Sequence, residues 1–175
     1  LYEEDPQADI RFWGGDLMQK TGGTLVKHYR DLAFMGFVEV LLNLRTILSN
    51  ISFCKKDITT FEPDILICID YPGFNLKIAD FAKENGIKVC YYISPKIWAW
   101  NQKRVYKIKR LVDHMFCILP FEVKFYKQFH YQVDYVGNPM LDAIAASFTD
   151  AKAHEYQSYQ GLPELREAMA AFYKE

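Results

Sequence analysis

The chain has 175 residues, of which 50% are hydrophobic and 25% are charged, and its formal net charge is -1. A chain of this length can bury a large core, and its composition excludes an intrinsically disordered protein. The near-neutral charge argues against a general nucleic-acid binder, so no nucleic-acid partner is expected. No signal peptide opens the chain and no apolar run reaches the roughly 18 residues of a membrane span, which predicts a soluble or peripheral protein.

From about residue 8 to residue 146, short apolar runs alternate with longer helical stretches. The predicted strands are Ile10–Trp13, Ile65–Ile69, Val89–Ile93, Met115–Leu119 and Val133–Val136. The predicted helices are Gly73–Asn85, Asn101–Leu111, Phe121–Phe129 and Pro139–Ala146. Continuously apolar strands are typical of a parallel sheet that is buried on both faces. The pattern therefore predicts an α/β domain with a Rossmann-like parallel sheet and flanking helices.

The segment from residue 32 to residue 48 is more apolar than a helix with one buried side requires. On a helix, one apolar stripe holds Phe34, Phe37, Val38, Leu41 and Leu48, and a neighbouring stripe holds Val40, Leu44 and Ile47. Packing on a sheet needs only one stripe, so the excess predicts an exposed patch that contacts a membrane or a partner. A helix that is buried on all sides remains the alternative.

Asp70 follows the apolar run Ile65–Ile69 and precedes a Pro-Gly turn. In open α/β sheets, ligands bind beyond the carboxyl ends of the strands, which is where Asp70 should lie. A carboxylate in that position can act as a general base on a substrate hydroxyl. The alternative is an aspartate that caps the following helix or turn.

The segment after the next strand combines tryptophan with positive charge. Trp98 and Trp100 lie in a polar loop, where their rings suit a sugar ring or an acyl chain. Residues 96–110 contain six cations and no acid, which predicts a site for phosphate or for an anionic membrane surface. These cations are Lys96, Lys103, Arg104, Lys107, Lys109 and Arg110. A solvated basic helix with core tryptophans is the alternative.

Other motifs give weaker signals or exclude common chemistries. Gly137 and Asn138 form one more strand-to-helix junction, which can face a phosphate but is more often an ordinary turn. P-loop, GxSxG, HExxH and GxGxxG motifs are absent. The histidines show no ligand spacing, so no metal or other cofactor is expected. The cysteines form no CxxC pair and are expected to be buried thiols: Cys54, Cys68, Cys90 and Cys117.

Four segments, in this order, resemble the lipid-A-disaccharide synthase family. They are FMGFVEVL, ICIDYPGFN, YYISPKIWAWNQKRVYKIKR, and LPFEVKFY with VDYVGNPMLDA. The resemblance covers about residues 5 to 146 and implies an inverting GT-B glycosyltransferase with no required metal. The implied reaction transfers 2,3-diacylglucosamine from UDP to the 6'-hydroxyl of 2,3-diacylglucosamine 1-phosphate, in the cytoplasm and peripherally on the inner membrane. The implied partners are thus UDP-diacylglucosamine, diacylglucosamine 1-phosphate and the membrane surface.

The resemblance also implies roles for individual residues. Asp70 matches the proposed catalytic base of the family, and Asn75 closes the same motif. Trp98, Trp100 and Arg104 match the SPxxWAW segment and are assigned to substrate binding. Asn75 and Asn138 are assigned to substrate binding as well. The membrane-contact patch of the family matches Val38, Val40, Leu41, Leu44, Ile47 and Leu48.

The resemblance predicts that residues 1–147 are an incomplete N-terminal half of the GT-B fold. The first strand and the second domain of the family, which holds most UDP contacts, have no match here, so we expect no transfer by this chain alone. Residues 148–175 are interpreted as a foreign helical tail, because EYQSYQGLPELREAMAAFYKE resembles a segment of a fold-type I, PLP-dependent aminotransferase. Two other functions remain open, a non-catalytic membrane- or lipid-binding module and a piece of an aminotransferase.

Overall fold

The computed structural model describes residues 5–31, 44–141 and 144. The chain divides into two compact units, one made of residues 1–66 and 71–88 and the other of residues 67–70 and 89–175. Three residues predicted to contact the membrane, Val38, Val40 and Leu41, lie outside the described residues, as does the predicted tail from residue 148.

The first unit contains two parallel strands and two long helices. Strands β1 (Arg11–Gly14) and β2 (Thr24–His28) pair in parallel and are joined through the short helix α1 (Asp16–Lys20). A 3-10 turn, Tyr29–Asp31, follows β2, and the helices are α2 (Leu44–Phe61) and α3 (Pro72–Glu84).

The core of the first unit lies between helices α2 and α3. Helix α2 contributes Ile51, Cys54 and Ile58, which are spaced three and four residues apart and so lie on one side of the helix. Helix α3 contributes Phe74 and Ile78. Half-buried apolar side chains pack around this cluster: Trp13, Ile47, Leu66, Phe81 and Ile87.

A four-stranded sheet has the order β3–β4–β5–β6. Its strands are β3 (Ile65–Ile69), β4 (Lys88–Tyr92), β5 (His114–Cys117) and β6 (Asp134–Tyr135). Strand β5 pairs in parallel with both β4 and β6. The connections contain the helices α4 (Ile97–Trp100), α5 (Val105–Leu111) and α6 (Pro120–Lys127), with a 3-10 turn, Gln102–Arg104, before α5.

The second unit builds its own core from alternate strand positions and from one side of each helix. Val89 and Tyr91 on β4 are 0% exposed, as is Cys117 on β5. Helix α5 buries Val105 and Ile108, which lie three residues apart on one side of the helix. The parallel α/β architecture predicted from the sequence is therefore confirmed.

One expectation about the sheet is wrong. Strand β3 is not buried on both faces, since Ile65, Ile67 and Ile69 are 45–49% exposed while Cys68 is 3% exposed. Side chains alternate between the two faces of a strand, so the three isoleucines share one face and Cys68 lies on the other. Strand β3 also lies at the end of the strand order, where fewer neighbouring elements cover a strand. The predicted helix over residues 101–111 is observed, with its first turn in the 3-10 segment Gln102–Arg104 and the remainder in α5.

The four cysteines are free thiols, and Cys54, Cys68 and Cys117 are buried as expected, whereas Cys90 is only half-buried. Burial, followed by the nearby Asp57 carboxylate, raises the pKa of the Cys54 thiol to about 12. Burial, followed by Glu122, raises the pKa of Cys117 to about 12 as well. Both thiols are therefore protonated and unreactive near neutral pH. Within the described part of the chain, every helix is too short or too polar to cross a bilayer.

Candidate functional site

The carboxyl ends of the strands carry the residues that the sequence singled out. Asp70 is exposed and comes directly after β3, while the Trp98 loop follows β4. Three non-glycine residues at these strand ends have positive φ angles, Asp70 at 45°, Tyr71 at 44° and Ile93 at 66°. Each such conformation costs about 1–2 kcal/mol and is retained only where the surroundings enforce it, which is typical of functional sites.

Strand β4 holds the backbone of Asp70 at two atoms. The amide of Asp70 donates a hydrogen bond to the carbonyl of Tyr92 at 2.9 Å. The hydroxyl of Tyr91, whose side chain is fully buried, donates to the carbonyl oxygen of Asp70 at 2.6 Å. The backbone of the predicted base is therefore anchored to a neighbouring strand, while the residue itself is exposed.

Helix α3 begins immediately beyond Asp70. Tyr71, and not Asp70, occupies the N-cap position, and Pro72 is the first helical residue. The carbonyl of Tyr71 accepts hydrogen bonds from the amides of Phe74 and Asn75 at 3.2 and 3.0 Å. Asn75, which was assigned to substrate binding, is half-buried in the first turn of this helix. Its role in binding stays a prediction.

A buried carboxylate, Glu122, fixes the loop that follows β4. It is 1% exposed, and one of its oxygens accepts hydrogen bonds from the Ser94 hydroxyl at 2.5 Å and from the Trp98 indole at 3.2 Å. Its other oxygen accepts from the amide of Leu119 at 3.1 Å. The sequence analysis missed Glu122. A glutamate three residues into a helix that starts with proline is the usual sign of a capping carboxylate, and it was the available signal.

The predicted substrate-binding tryptophans differ in their surroundings. Trp98 is half-buried, and its ring meets that of Phe121 edge-on at a centroid distance of 4.9 Å. Trp100 is 69% exposed, and the guanidinium of Arg104 lies 5.1 Å from its ring centroid. Trp98 thus serves partly as a packing residue, whereas Trp100 and Arg104 present an aromatic and cationic surface to solvent.

Exposed positive charges are distributed over residues 96–110. Lys96 is exposed, as are four further cations of the segment: Lys103, Lys107, Lys109 and Arg110. Tyr106, in the same segment, is 65% exposed. Aromatic and basic side chains are therefore interleaved on one accessible stretch of chain, and the phosphate or membrane site expected there stays a prediction.

Asn138 takes part in a turn. Its side-chain oxygen accepts a hydrogen bond from the amide of Met140 at 3.0 Å, and its carbonyl accepts from Leu141 at 2.9 Å. Gly137, the preceding residue, has a φ of 87°, which favours glycine. The segment therefore forms a turn, which was one of the two alternatives from the sequence. The role of Asn138 in substrate binding stays a prediction.

Only part of the predicted membrane-contact patch can be compared with the structure. Leu44 is the first residue of helix α2. The next two patch residues differ in burial. Ile47 packs against the core cluster of the first unit, whereas Leu48 is 54% exposed. Residue 48 is thus available at the surface, whereas Ile47 contributes to the interior.

A cavity of about 320 Å³ is lined by Asp113, His114, Met115, Gln132 and Asp134. These residues lie at or before the amino ends of β5 and β6, at the edge opposite to Asp70. No group of three His, Cys, Asp or Glu side chains within residues 5–31 and 44–141 could hold a metal ion.

Comparisons with known proteins agree on one family. The lipid-A-disaccharide synthetase family model matches residues 1–172, and thus extends into the segment interpreted as a foreign tail. The lipid-A-disaccharide synthase of Trichlorobacter lovleyi is 48% identical over 149 residues, which are 85% of this chain and 39% of that protein. Its counterpart in Geobacter metallireducens is 43% identical with the same coverage. That of Coxiella burnetii is 39% identical over 83% of this chain and 39% of the relative. The chain thus spans about two fifths of the length of these relatives.

Proposed function

Because this chain belongs to the lipid-A-disaccharide synthase family, we propose that it forms the acceptor-side part of a glycosyltransferase of lipid A biosynthesis. The reaction transfers 2,3-diacylglucosamine from UDP to 2,3-diacylglucosamine 1-phosphate and yields lipid A disaccharide 1-phosphate and UDP. The single observation that carries the proposal is an exposed aspartate, Asp70, whose backbone is anchored at the carboxyl edge of a parallel sheet. Ligands bind at this edge in open α/β sheets.

Asp70 acts as the general base in this proposal. Its carboxylate takes the proton of the 6'-hydroxyl of the acceptor while that oxygen forms a bond to the anomeric carbon of the donor sugar. The bond from the anomeric carbon to the UDP oxygen breaks, and the electron pair leaves with UDP. Attack from the face opposite to UDP inverts the anomeric carbon. UDP is a good leaving group, so one base on the acceptor side is enough.

Substrate binding is proposed for the surface around Trp100 and Arg104. The ring of Trp100 is 69% exposed, so a sugar or an acyl chain that covers it would remove a large aromatic surface from water. The guanidinium stacked on it is suited to the phosphate of diacylglucosamine 1-phosphate. Trp98, Asn75 and Asn138 complete the proposed set of binding residues.

The proposal places the protein peripherally on the cytoplasmic side of the inner membrane, because both substrates carry acyl chains. The supporting observations are the exposed Leu48 on α2 and the exposed cations between residues 96 and 110. The same cations and Trp100 also favour the second candidate function, a non-catalytic membrane- or lipid-binding module. The two candidates differ in one respect, since only the glycosyltransferase requires the carboxylate of Asp70.

A hybrid enzyme tests the base role of Asp70. In this hybrid, the 149 aligned residues of the present chain replace their counterparts in the T. lovleyi enzyme, which supplies the remaining length. We expect Asp70→Asn to lower kcat by about 10² to 10⁴-fold, because the amide keeps the shape of the side chain but cannot accept the proton. The assay measures the disaccharide formed from UDP-diacylglucosamine and diacylglucosamine 1-phosphate.

The matched control is Asp64→Asn, which makes the same chemical change at an exposed residue before β3, at the opposite end of that strand. Its kcat should stay close to that of the parent hybrid. If Asp70→Asn and Asp64→Asn turn over equally well, Asp70 is not the base. A parent hybrid that binds vesicles but forms no disaccharide would favour the non-catalytic module.

A further inference from the structure

Asp70 and Tyr71 adopt the left-handed backbone conformation in succession, with φ angles of 45° and 44°. Aspartate adopts this conformation singly at moderate cost, but tyrosine does not, and two such residues in succession need neighbouring groups that hold the geometry. The direction of the Cα–Cβ bond of Asp70, and with it the place of the carboxylate, depends on these backbone angles. Whatever holds the backbone of Asp70 therefore also sets the position of the proposed base.

Two groups of β4 hold this backbone, and one of them is a side chain. The carbonyl of Tyr92 belongs to the strand backbone, and it would accept from the amide of Asp70 with almost any side chain at position 92. The hydroxyl of Tyr91, in contrast, is a group that only this side chain supplies, and it lies 2.6 Å from the carbonyl oxygen of Asp70. Tyr91 is 0% exposed, so its ring is fixed by packing and its hydroxyl is held in place.

We propose that Tyr91 is a positioning residue for the base Asp70. This inference rests on the proposed function. Tyr91 donates its hydroxyl hydrogen to the Asp70 carbonyl and stays protonated throughout, so it neither touches the substrate nor transfers a proton. It acts by keeping the backbone of Asp70 in the left-handed conformation, so that the carboxylate meets the acceptor hydroxyl without rearrangement. Small misplacements of a catalytic group lower the rate steeply, which makes such an anchor valuable.

Tyr131 provides a matched comparison in the same unit. Its hydroxyl donates to the carbonyl oxygen of Val112 at 2.9 Å, and its side chain is 8% exposed. Val112 precedes β5, and thus lies at the edge opposite to Asp70. Tyr91→Phe and Tyr131→Phe each remove one buried hydroxyl that bonds to a backbone carbonyl and keep the ring. The two variants differ in whether the carbonyl belongs to the proposed base.

The test measures kcat, KM and melting temperature for both variants in the hybrid enzyme. Tyr91→Phe should lower kcat by about tenfold or more with KM nearly unchanged, since the base is misplaced but the substrate-binding surface is intact. Tyr131→Phe should leave kcat within about twofold of the parent. Both should lower the melting temperature to a similar extent. Equal kcat values for the two variants would overturn the positioning role.

A second readout requires no activity. In the isolated chain, three-bond couplings between the amide and α protons report φ, and they should change at Asp70 and Tyr71 in Tyr91→Phe but not in Tyr131→Phe. Unchanged couplings would overturn the inference. If Tyr91→Phe does not fold, the exchange rate of the Tyr91 hydroxyl proton is measured in the wild-type chain. Fast exchange of this proton with water would contradict the hydrogen bond to the Asp70 carbonyl. Failure of the proposed function shows separately, as full activity of Asp70→Asn.

Discussion

Glu122 is a carboxylate that has almost no contact with solvent and yet accepts three hydrogen bonds. Its donors are the Ser94 hydroxyl, the Trp98 indole and the Leu119 amide. A buried carboxylate is tolerated only when such donors compensate for its lost hydration. It joins the start of α6 to the loop after β4, so one side chain determines where the loop with Trp98 begins.

Glu122→Leu should destabilise the chain strongly. The change leaves the Ser94 hydroxyl and the Trp98 indole without their acceptor, and each unsatisfied buried group costs about 1–3 kcal/mol. Glu122→Gln keeps an acceptor oxygen and should cost about 1 kcal/mol. Urea unfolding, followed by tryptophan fluorescence, measures both. Equal losses for the two variants would mean that hydrogen bonding does not explain the burial of Glu122.

The sequence predicted which residues lie at the end of a strand, but not which distant residues form hydrogen bonds to them. Asp70 follows an apolar run and precedes a Pro-Gly turn, so its place at the edge of the sheet was predictable. Tyr91 and Glu122 lie 21 and 28 residues from their partners Asp70 and Ser94. Contacts over such separations depend on strand order and register, which a single sequence does not specify.

Helix α2 shows how one element divides its side chains between the interior and the surface. Ile47 packs against the core cluster that contains Ile51, whereas the next residue, Leu48, is 54% exposed. The apolar excess seen in the sequence therefore has two different structural outcomes within two adjacent residues. A pattern can show that a helix has too many apolar residues for one face, but not which of them the fold covers.

Adjacent substitutions on α2 separate stability from membrane contact. Ile47→Ser should lower the free energy of unfolding by about 1–3 kcal/mol, because it places a hydroxyl against an apolar cluster. Leu48→Ser should leave stability within about 0.5 kcal/mol of the parent and should weaken binding to phosphatidylglycerol vesicles. Urea unfolding and vesicle co-sedimentation provide the two measurements. Undiminished vesicle binding by Leu48→Ser would remove this residue from the membrane-contact patch.

Two elements that were not predicted from the sequence are short or mixed in character, and most of the long helix α2, Leu44–Phe61, was not predicted either, since the predicted helical segment ended at residue 48. Strand β2, Thr24–His28, has a basic residue at positions 27 and 28, and helix α1 has five residues, Asp16–Lys20. Periodicity needs longer segments to distinguish a helix or a strand from a loop. Two elements next to Asp70 were predicted well, since β3 has the expected bounds, Ile65–Ile69, and α3, Pro72–Glu84, begins within one residue of the expected position.

For the whole molecule, the alternation of apolar runs and helices was sufficient to predict a parallel α/β fold. It did not reveal that β3 exposes one face, because an apolar run looks the same in a central strand and in a strand at the end of the order. The exposure of Ile65, Ile67 and Ile69 is a property of neighbouring elements and not of β3 itself. Local sequence therefore predicts the type of an element better than its surroundings.

The isolated chain is expected to form no lipid A disaccharide. It spans 39% of the length of the T. lovleyi enzyme, and transfer requires the UDP-sugar and the acceptor to be held together in one site. The base and the proposed acceptor surface alone do not orient the anomeric carbon of a UDP-bound sugar. Incubation of the chain with UDP-diacylglucosamine and diacylglucosamine 1-phosphate, with the hybrid enzyme as the positive control, measures this directly by chromatography of labelled product. Turnover by the isolated chain that disappears in Asp70→Asn would show instead that these residues suffice to bind both substrates and to catalyse the transfer.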